Sequence, residues 1–203
     1  MGASRGIGRG IAGALAREGA RVAMASRSRN RVAEAAAEVE GETAAFEADT
    51  SDLERLATLR GEVEAELGPI DILVTNTGGP PPGGALDNPV TDWERAYHSL
   101  VLAPRMLTEA VVPGMRERGW GRIVNVSSSA VREPIPHLTL SNVHRMGAVG
   151  FFKTLAGEVA GDGITVNTVA TGRFATRVEL GILGGDGAEG RRRRAGGTAR
   201  SAR

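Results

Sequence analysis

The chain has 203 residues, 41% of them apolar, and no cysteine; it is long enough to bury one sizeable core and has nothing from which to build a disulfide, a thiolate metal site or a cysteine nucleophile. Its formal net charge of +1 is uneven, because the four arginines 191–194 with Arg200 and Arg203 crowd one end and leave 19 basic against 24 acidic side chains before them. That acidic body excludes nucleic acid as a partner on charge grounds, and no apolar run reaches the ~20 residues that a bilayer crossing needs.

Short β-type runs alternate with helical ones, the order expected of parallel βαβ units with helices on both faces of a sheet. The first helix is expected over 8–18, with Ile11, Ala12 and Leu15 on one side, followed by a strand over 21–26. A helix over 32–40, a strand over 43–49 and a helix over 53–67 come next, the last closed by Gly68 and Pro69. Residues 71–76, "DILVTN", read as a buried strand, and the "TGGPPPGGALDNP" that follows is too rich in Gly and Pro for regular structure. A long loop at the carboxyl end of a parallel strand usually borders a ligand site. Thr91 or Asp92 is expected to cap the next helix, which runs to Arg118 with a kink at Pro104. A strand over 122–128, a helix over 140–160 and a strand over 164–170 complete the body. One domain over 1–180 is expected, and a Gly/Arg-rich tail over 181–203 reads as disordered, because it has no apolar period and little to bury.

"GASRGIGRGIAGALA" holds Gly2, Gly6 and Gly8 directly before a helix and one βα unit before the strand "RVAMAS". Glycines there permit a tight turn and let backbone N–H groups approach a pyrophosphate, whose charge the helix N-terminus favours. NAD-selective sites commonly place an acidic side chain at the end of the next strand. Here that end carries Ser26 and Arg27, and an arginine fork suits a ribose 2′-phosphate, with Arg5 positioned to join it. The expected cofactor is therefore NADP(H); the other reading of Arg27 is an ordinary solvated charge.

These residues bring out a resemblance to the short-chain dehydrogenase/reductase family over about 2–177. "MGASRGIG" resembles that family's T-G-x-x-x-G-I-G turn with Met1 in the Thr place, "FEADTSD" its adenine-side segment with Asp49, and "TNTGG" its N-N-A-G stretch with Asn76 and Gly78. "GWGRIVNVSSS" resembles the strand bearing the active-site serine, and "GITVNTVATG" the turn, ending at Gly172, that receives the nicotinamide side. The resemblance implies a Rossmann-type doubly wound sheet. It also implies hydride transfer between nicotinamide and a carbonyl or alcohol carbon of a small molecule. Gly2, Ser4, Arg5, Gly6, Ile7 and Gly8 would lie on the pyrophosphate side, Ser26 and Arg27 on the adenosine phosphate, and Asn76, Thr77 and Gly78 near the ribose. "S-N-x-x-R" behind "NTGGPPPG" further resembles an atypical branch labelled 3-oxoacyl-carrier-protein reductases, which implies a 3-oxoacyl thioester.

Of the family's Asn, Ser, Tyr and Lys, only the serine is kept, as Ser128. The Tyr position falls on Ser141, the Lys position on Arg145 and the Asn position on Leu100. An aliphatic hydroxyl titrates far above a phenol, and arginine stays protonated and relays no proton. His98, His137 and His144 are candidate substitutes, each also readable as structural. Tyr97, the only tyrosine, pairs with Trp93 and Leu100 at helical spacing and reads as core. "TGGPPPGG" reads equally as a substrate entrance or a rigid connector.

The resemblance also implies an apolar strand ahead of the glycine turn at the centre of the sheet, and a last strand and helix after residue 180. The chain is thus expected to lack the first central strand and the last strand. The family pairs long helices across subunits, so a homo-oligomer, dimer or tetramer, is expected through 91–118 and 141–159. Cytoplasm is the expected location. Two functions stand: an NADP-dependent oxidoreductase, and an impaired nucleotide-binding protein, oligomer subunit or truncated fragment.

Overall fold

A computed structural model describes residues 1–172; the tail over 181–203 lies outside the described residues. Helix α1 (Gly6–Arg17) leads into strand β1 (Val22–Ser26), helix α2 (Arg29–Ala37) and strand β2 (Thr43–Glu47). Helix α1 begins two residues before the expected start and ends one before the expected end. Helix α2 starts three residues earlier than its apolar period indicates, because the Ser28 side chain accepts from the Arg31 amide and caps the helix there. Helix α3 (Leu53–Leu67) keeps the expected bounds, since both ends are marked locally: Asp52 accepts from the Arg55 amide, and Gly68 takes φ 82°.

Strand β3 (Ile72–Asn76) precedes the glycine-proline loop and a long helical stretch made of α4 (Val90–Tyr97), a wider π turn over His98–Leu102, and α5 (Ala103–Glu117). Three expectations fail here. The cap residue is Pro89, so neither Thr91 nor Asp92 caps α4. The helical register changes at the π turn ahead of Pro104, which sits in the first turn of α5, where its missing N–H costs nothing. Tyr97 is 46% exposed and is not core. Strand β4 (Gly121–Ser128), helix α6 (Thr139–Val159) and strand β5 (Ile164–Thr171) follow.

All strand pairs are parallel, but the sheet stands in two pieces: β1 pairs with β2, and β3–β4–β5 form the other piece. Among the described residues, one edge of β1 and one edge of β3 carry no strand ladder. Helices cover both faces of the first piece. Val22 and Met24 pack with α1 and α2, while Ala25 and Phe46 pack with Leu56, Leu59 and Val63 of α3 and Leu107 of α5. On the second piece α5 and α6 enclose Ile123 and Ile164 with Met115, Phe152 and Val159. Exposed Ile72 and Val169 lie on the opposite face. No helix among the described residues is long and apolar enough to cross a membrane.

Candidate functional site

The glycine turn closes on itself and on β3. Gly2 and Gly6 take φ 60° and 55°, a region that side chains avoid. The Asn76 side chain, at the end of β3, donates to the Met1 and Gly2 carbonyls at 3.4 Å each. Gly8 packs so closely under this turn that a Cβ would lie 2.7 Å from Asn76 Nδ2. No side chain caps α1, so its first-turn amides face out of a twelve-residue helix at its positive end. Together, a cradle that a Cβ would fill and an uncapped helix N-terminus fit the pyrophosphate of a dinucleotide.

Around the turn, the other expected cofactor residues take distinct positions. Ser26 is buried at the end of β1 and donates its hydroxyl to the Ser28 carbonyl at 3.3 Å. Arg27 follows it and is exposed, as is Arg5 at the cap of α1. Asp49 is half-buried, and its carboxylate accepts from the Ser51 amide at 3.0 Å, so one oxygen is committed to the local turn. Thr77 and Gly78 leave β3 directly after Asn76, and Gly172 follows β5.

The second cluster gathers at the carboxyl end of β4. Ser128 Oγ accepts from the Ala130 amide at 3.2 Å, which leaves its proton free to donate. Arg145 reaches from α6 to the strand: its Nε donates to Ser141 Oγ at 3.1 Å and its Nη1 to the Val126 carbonyl at 3.3 Å. Ser141 is buried, and the guanidinium N–H occupies a lone pair of its oxygen, so its own proton also remains to donate. Burial lowers the Arg145 pKa from its ordinary value. No ion pair to Arg145 occurs among the described residues.

The histidines do not join this cluster. His144 is buried with its Nδ1 on the Leu140 carbonyl at 2.7 Å, and its ring lies 5.5 Å from that of Trp93 and 6.4 Å from that of Tyr97. That contact requires the Nδ1–H tautomer in the neutral ring and ties the imidazole to its own helix. His98 is exposed in the π turn. His137 takes φ 60°, and its carbonyl accepts from the Gly83 amide at 2.8 Å. The Thr139 amide donates in turn to the Gly83 carbonyl at 3.3 Å, so the glycine-proline loop is pinned to the start of α6. Leu100 is 3% exposed and purely core.

Sequence reasoning missed a polar row across the sheet, buried at Thr75 and Asn125 and half-buried at Thr168. Thr75 Oγ1 donates to Asn125 Oδ1 at 3.2 Å, and Asn125 Nδ2 donates to Thr168 Oγ1 at 3.4 Å, joining β3, β4 and β5 beneath the site. Polar residues inside otherwise apolar strands were the available signal.

Comparison with known proteins places the chain. Residues 1–182 match the family described as short chain dehydrogenase. "Dehydrogenase/reductase SDR family member 4" of Homo sapiens is 38% identical over 178 residues, covering 84% of this chain and 63% of that protein. The ketoacyl reductase HetN of Nostoc sp. is 31% identical over 174 residues, covering 84% and 61%. The chain thus spans less than two thirds of the length of these relatives. Among solved structures, L-sorbose reductase from Gluconobacter frateurii, complexed with NADPH and L-sorbose, superposes with a TM-score of 0.79 at 32% identity, covering 83% of this chain and 66% of that one. With its parallel α/β architecture, its glycine turn under α1 and these matches, the chain belongs to the short-chain dehydrogenase family.

Proposed function

We propose that this chain binds NADP(H) and supports reversible hydride transfer between nicotinamide and the carbonyl or alcohol carbon of a small molecule. The observation that carries the reading is the uncapped N-terminus of α1 beneath a glycine turn clamped by Asn76, with no room for a Cβ at Gly8. In this reading Gly2, Ser4, Arg5, Gly6, Ile7 and Gly8 hold the pyrophosphate side, and Arg27 with Ser26 receives the 2′-phosphate. Asp49 borders the adenine, and Thr77, Gly78 and Gly172 border the ribose and nicotinamide side. Exposed Arg27, in the place where NAD-selective sites put an acid, favours the phosphorylated dinucleotide. Similarity to the ketoacyl reductase HetN supports a 3-oxoacyl thioester as one substrate class.

When bound, the dinucleotide supplies a hydride to a carbonyl carbon in its reduced form and takes one from an alcohol carbon in its oxidised form. Ser128 and Ser141 each keep a hydroxyl proton to donate to the carbonyl oxygen. Arg145, bonded to Ser141 Oγ, keeps a positive charge beside that hydroxyl and stabilises negative charge as it builds on the substrate oxygen. Ser141 titrates too high to surrender its proton alone, so the proton that completes the alcohol is drawn from solvent across the Ser141 hydroxyl. Positioned general acids contribute ~10²- to 10⁴-fold to rate, and the slow step here is this protonation.

A second reading, a nucleotide-binding protein with little turnover, is favoured by His144, which is held on Leu140 instead of serving Ser141. NADPH fluorescence titration followed by a panel of carbonyl substrates separates the two. Binding with slow turnover is expected, and the double change Ser141→Tyr with Arg145→Lys should raise kcat by ~10²-fold or more. Binding with no turnover in either protein would leave the second reading; no binding by folded protein would remove both.

A further inference from the structure

The Arg145 guanidinium uses one N–H on Ser141 Oγ, from Nε at 3.1 Å, and one on the Val126 carbonyl, from Nη1 at 3.3 Å. Its remaining N–H donors, on Nη1 and Nη2, meet no acceptor among the described residues. Seven ion pairs occur among those residues, and none includes Arg145. A half-buried guanidinium held against a strand without a carboxylate is costly, and desolvation accordingly lowers its pKa. The groups around it deepen the imbalance. Ser128 and Ser141 each retain a hydroxyl proton. Ser127, next to the carbonyl that Arg145 grips, is 4% exposed, and its Oγ has no hydrogen-bond partner among the described residues. Donors therefore exceed acceptors at this strand end, and one positive charge there is not offset.

A neutral ligand accepts such hydrogen bonds without offsetting the charge, and the hydroxyls of a ribose and the carbonyl of a thioester are both of this kind. A carboxylate does both, and it matches the planar fork of a guanidinium. The geometry also fixes where it lies. In a guanidinium one Nη2 N–H points the same way as Nε–H, and here Nε–H is aimed at Ser141 Oγ. An acceptor on Nη2 thus stands beside the Ser141 hydroxyl, which in the reading above donates to the substrate's carbonyl oxygen. Ser141 Oγ and Arg145 Nε lie 3.1 Å apart, a spacing that suits a carbonyl and a carboxylate on adjoining carbons.

Resting on that oxidoreductase reading, we infer that Arg145 and Ser141 together receive a 2-oxo acid, its carboxylate on the open edge of the guanidinium and its carbonyl oxygen on the Ser141 hydroxyl. In the reverse direction the ligand is the matching 2-hydroxy acid. The carboxylate neither gains nor loses a bond. Hydride from the reduced dinucleotide enters the neighbouring carbon, a solvent proton enters its oxygen, and the products are the 2-hydroxy acid and the oxidised dinucleotide. Arg145 is thereby a specificity determinant, selecting free acids over their esters and thioesters.

Oxamate carries a carbonyl beside a carboxylate and resists reduction by hydride, and methyl oxamate is its uncharged counterpart. Calorimetry on the full chain, with and without NADPH, compares the two. Oxamate is expected to bind at least ~10-fold tighter than the ester. Arg145→Gln should bring that preference to within ~2-fold with the circular-dichroism spectrum unchanged, and Arg145→Lys, which keeps the charge but not the fork, should retain part of it. Equal affinity for acid and ester in the parent protein, or no binding of oxamate, would overturn the assignment whatever the variants do. So would an Arg145→Gln protein that loses NADPH affinity and keeps the oxamate preference, since the guanidinium would then serve the ribose. The two readings fail separately: NADPH binding without acid preference removes only the 2-oxo acid, whereas acid preference without NADPH binding leaves the acid site standing and removes the dinucleotide.

Discussion

Gly8 and Gly10 lie in the same helix, yet alanine should act on them in opposite directions. At Gly10 a Cβ meets nothing within 4 Å, so Gly10→Ala contributes only the helix preference of alanine, ~0.8–1 kcal/mol. In a domain of this size that raises the thermal midpoint by ~2–4 °C. At Gly8 the same preference is opposed by overlap. The added carbon would stand 2.7 Å from Asn76 Nδ2 and 2.9 Å from the Gly2 carbonyl carbon, and closer still to the Gly2 oxygen. Backbone cannot rotate away as a side chain can, so relief requires Gly2 to move off α1 and weaken its bond from Asn76. Overpacking of this kind costs ~1–3 kcal/mol. Adding the weakened Asn76 bonds and subtracting the helix gain leaves a net loss of ~1–3 kcal/mol, or ~3–10 °C in midpoint. Paired circular-dichroism melts measure both variants, and NADPH titration follows the cradle, whose affinity should fall at least ~10-fold in Gly8→Ala and stay near parent in Gly10→Ala. A Gly8→Ala protein that melts with Gly10→Ala and binds NADPH as the parent does would refute the closed turn described here.

Arg27→Asp should weaken NADPH by roughly tenfold to a hundredfold while leaving NADH within ~3-fold, because only the phosphorylated ribose needs the guanidinium; equal weakening in the two titrations would remove the cofactor assignment. Asn125→Leu strands the hydroxyls of Thr75 and Thr168, so urea unfolding should show a loss of ~2–3 kcal/mol; an unchanged midpoint would mean that the row contributes nothing to stability. The Met1 amine of the 203-residue chain titrates at about 6 in the folded state against 8.0 ordinarily. The folded state therefore binds fewer protons than the unfolded one between these values. Stability is greatest above pH 8 and falls as pH drops towards 6. The shift is worth at most ~2–3 kcal/mol, and solvent reaching half-buried Met1 trims this to ~1–2. Melts at pH 6 and pH 8 on chains with free and acetylated Met1 check it, the acetylated form showing a smaller difference.

Local signals carried the features whose causes are local. Helix α3 was legible to the residue because Asp52 and Gly68 mark its ends within one turn. Strand β4 was legible to within one residue from its apolar run, and the glycine turn from three glycines ahead of a helical period. Helix α2 was misjudged because the Ser28 cap lies outside the apolar period, and Tyr97 because helical spacing states which residues share a face but not what covers that face. The remaining features depend on contacts between distant parts of the chain. Asn76 clamps a turn 74 residues away, Arg145 links Ser141 to the strand at Val126, and Asn125 bridges Thr75 to Thr168. The sequence alone determined a parallel α/β chain with a glycine turn ahead of its first helix, and a family resemblance in which Ser141, Arg145 and Leu100 stand at the Tyr, Lys and Asn positions. Only the tertiary structure decided which polar groups satisfy one another. Such hydrogen bonds are selected by burial across separate elements, and no periodicity within a single element encodes their partners.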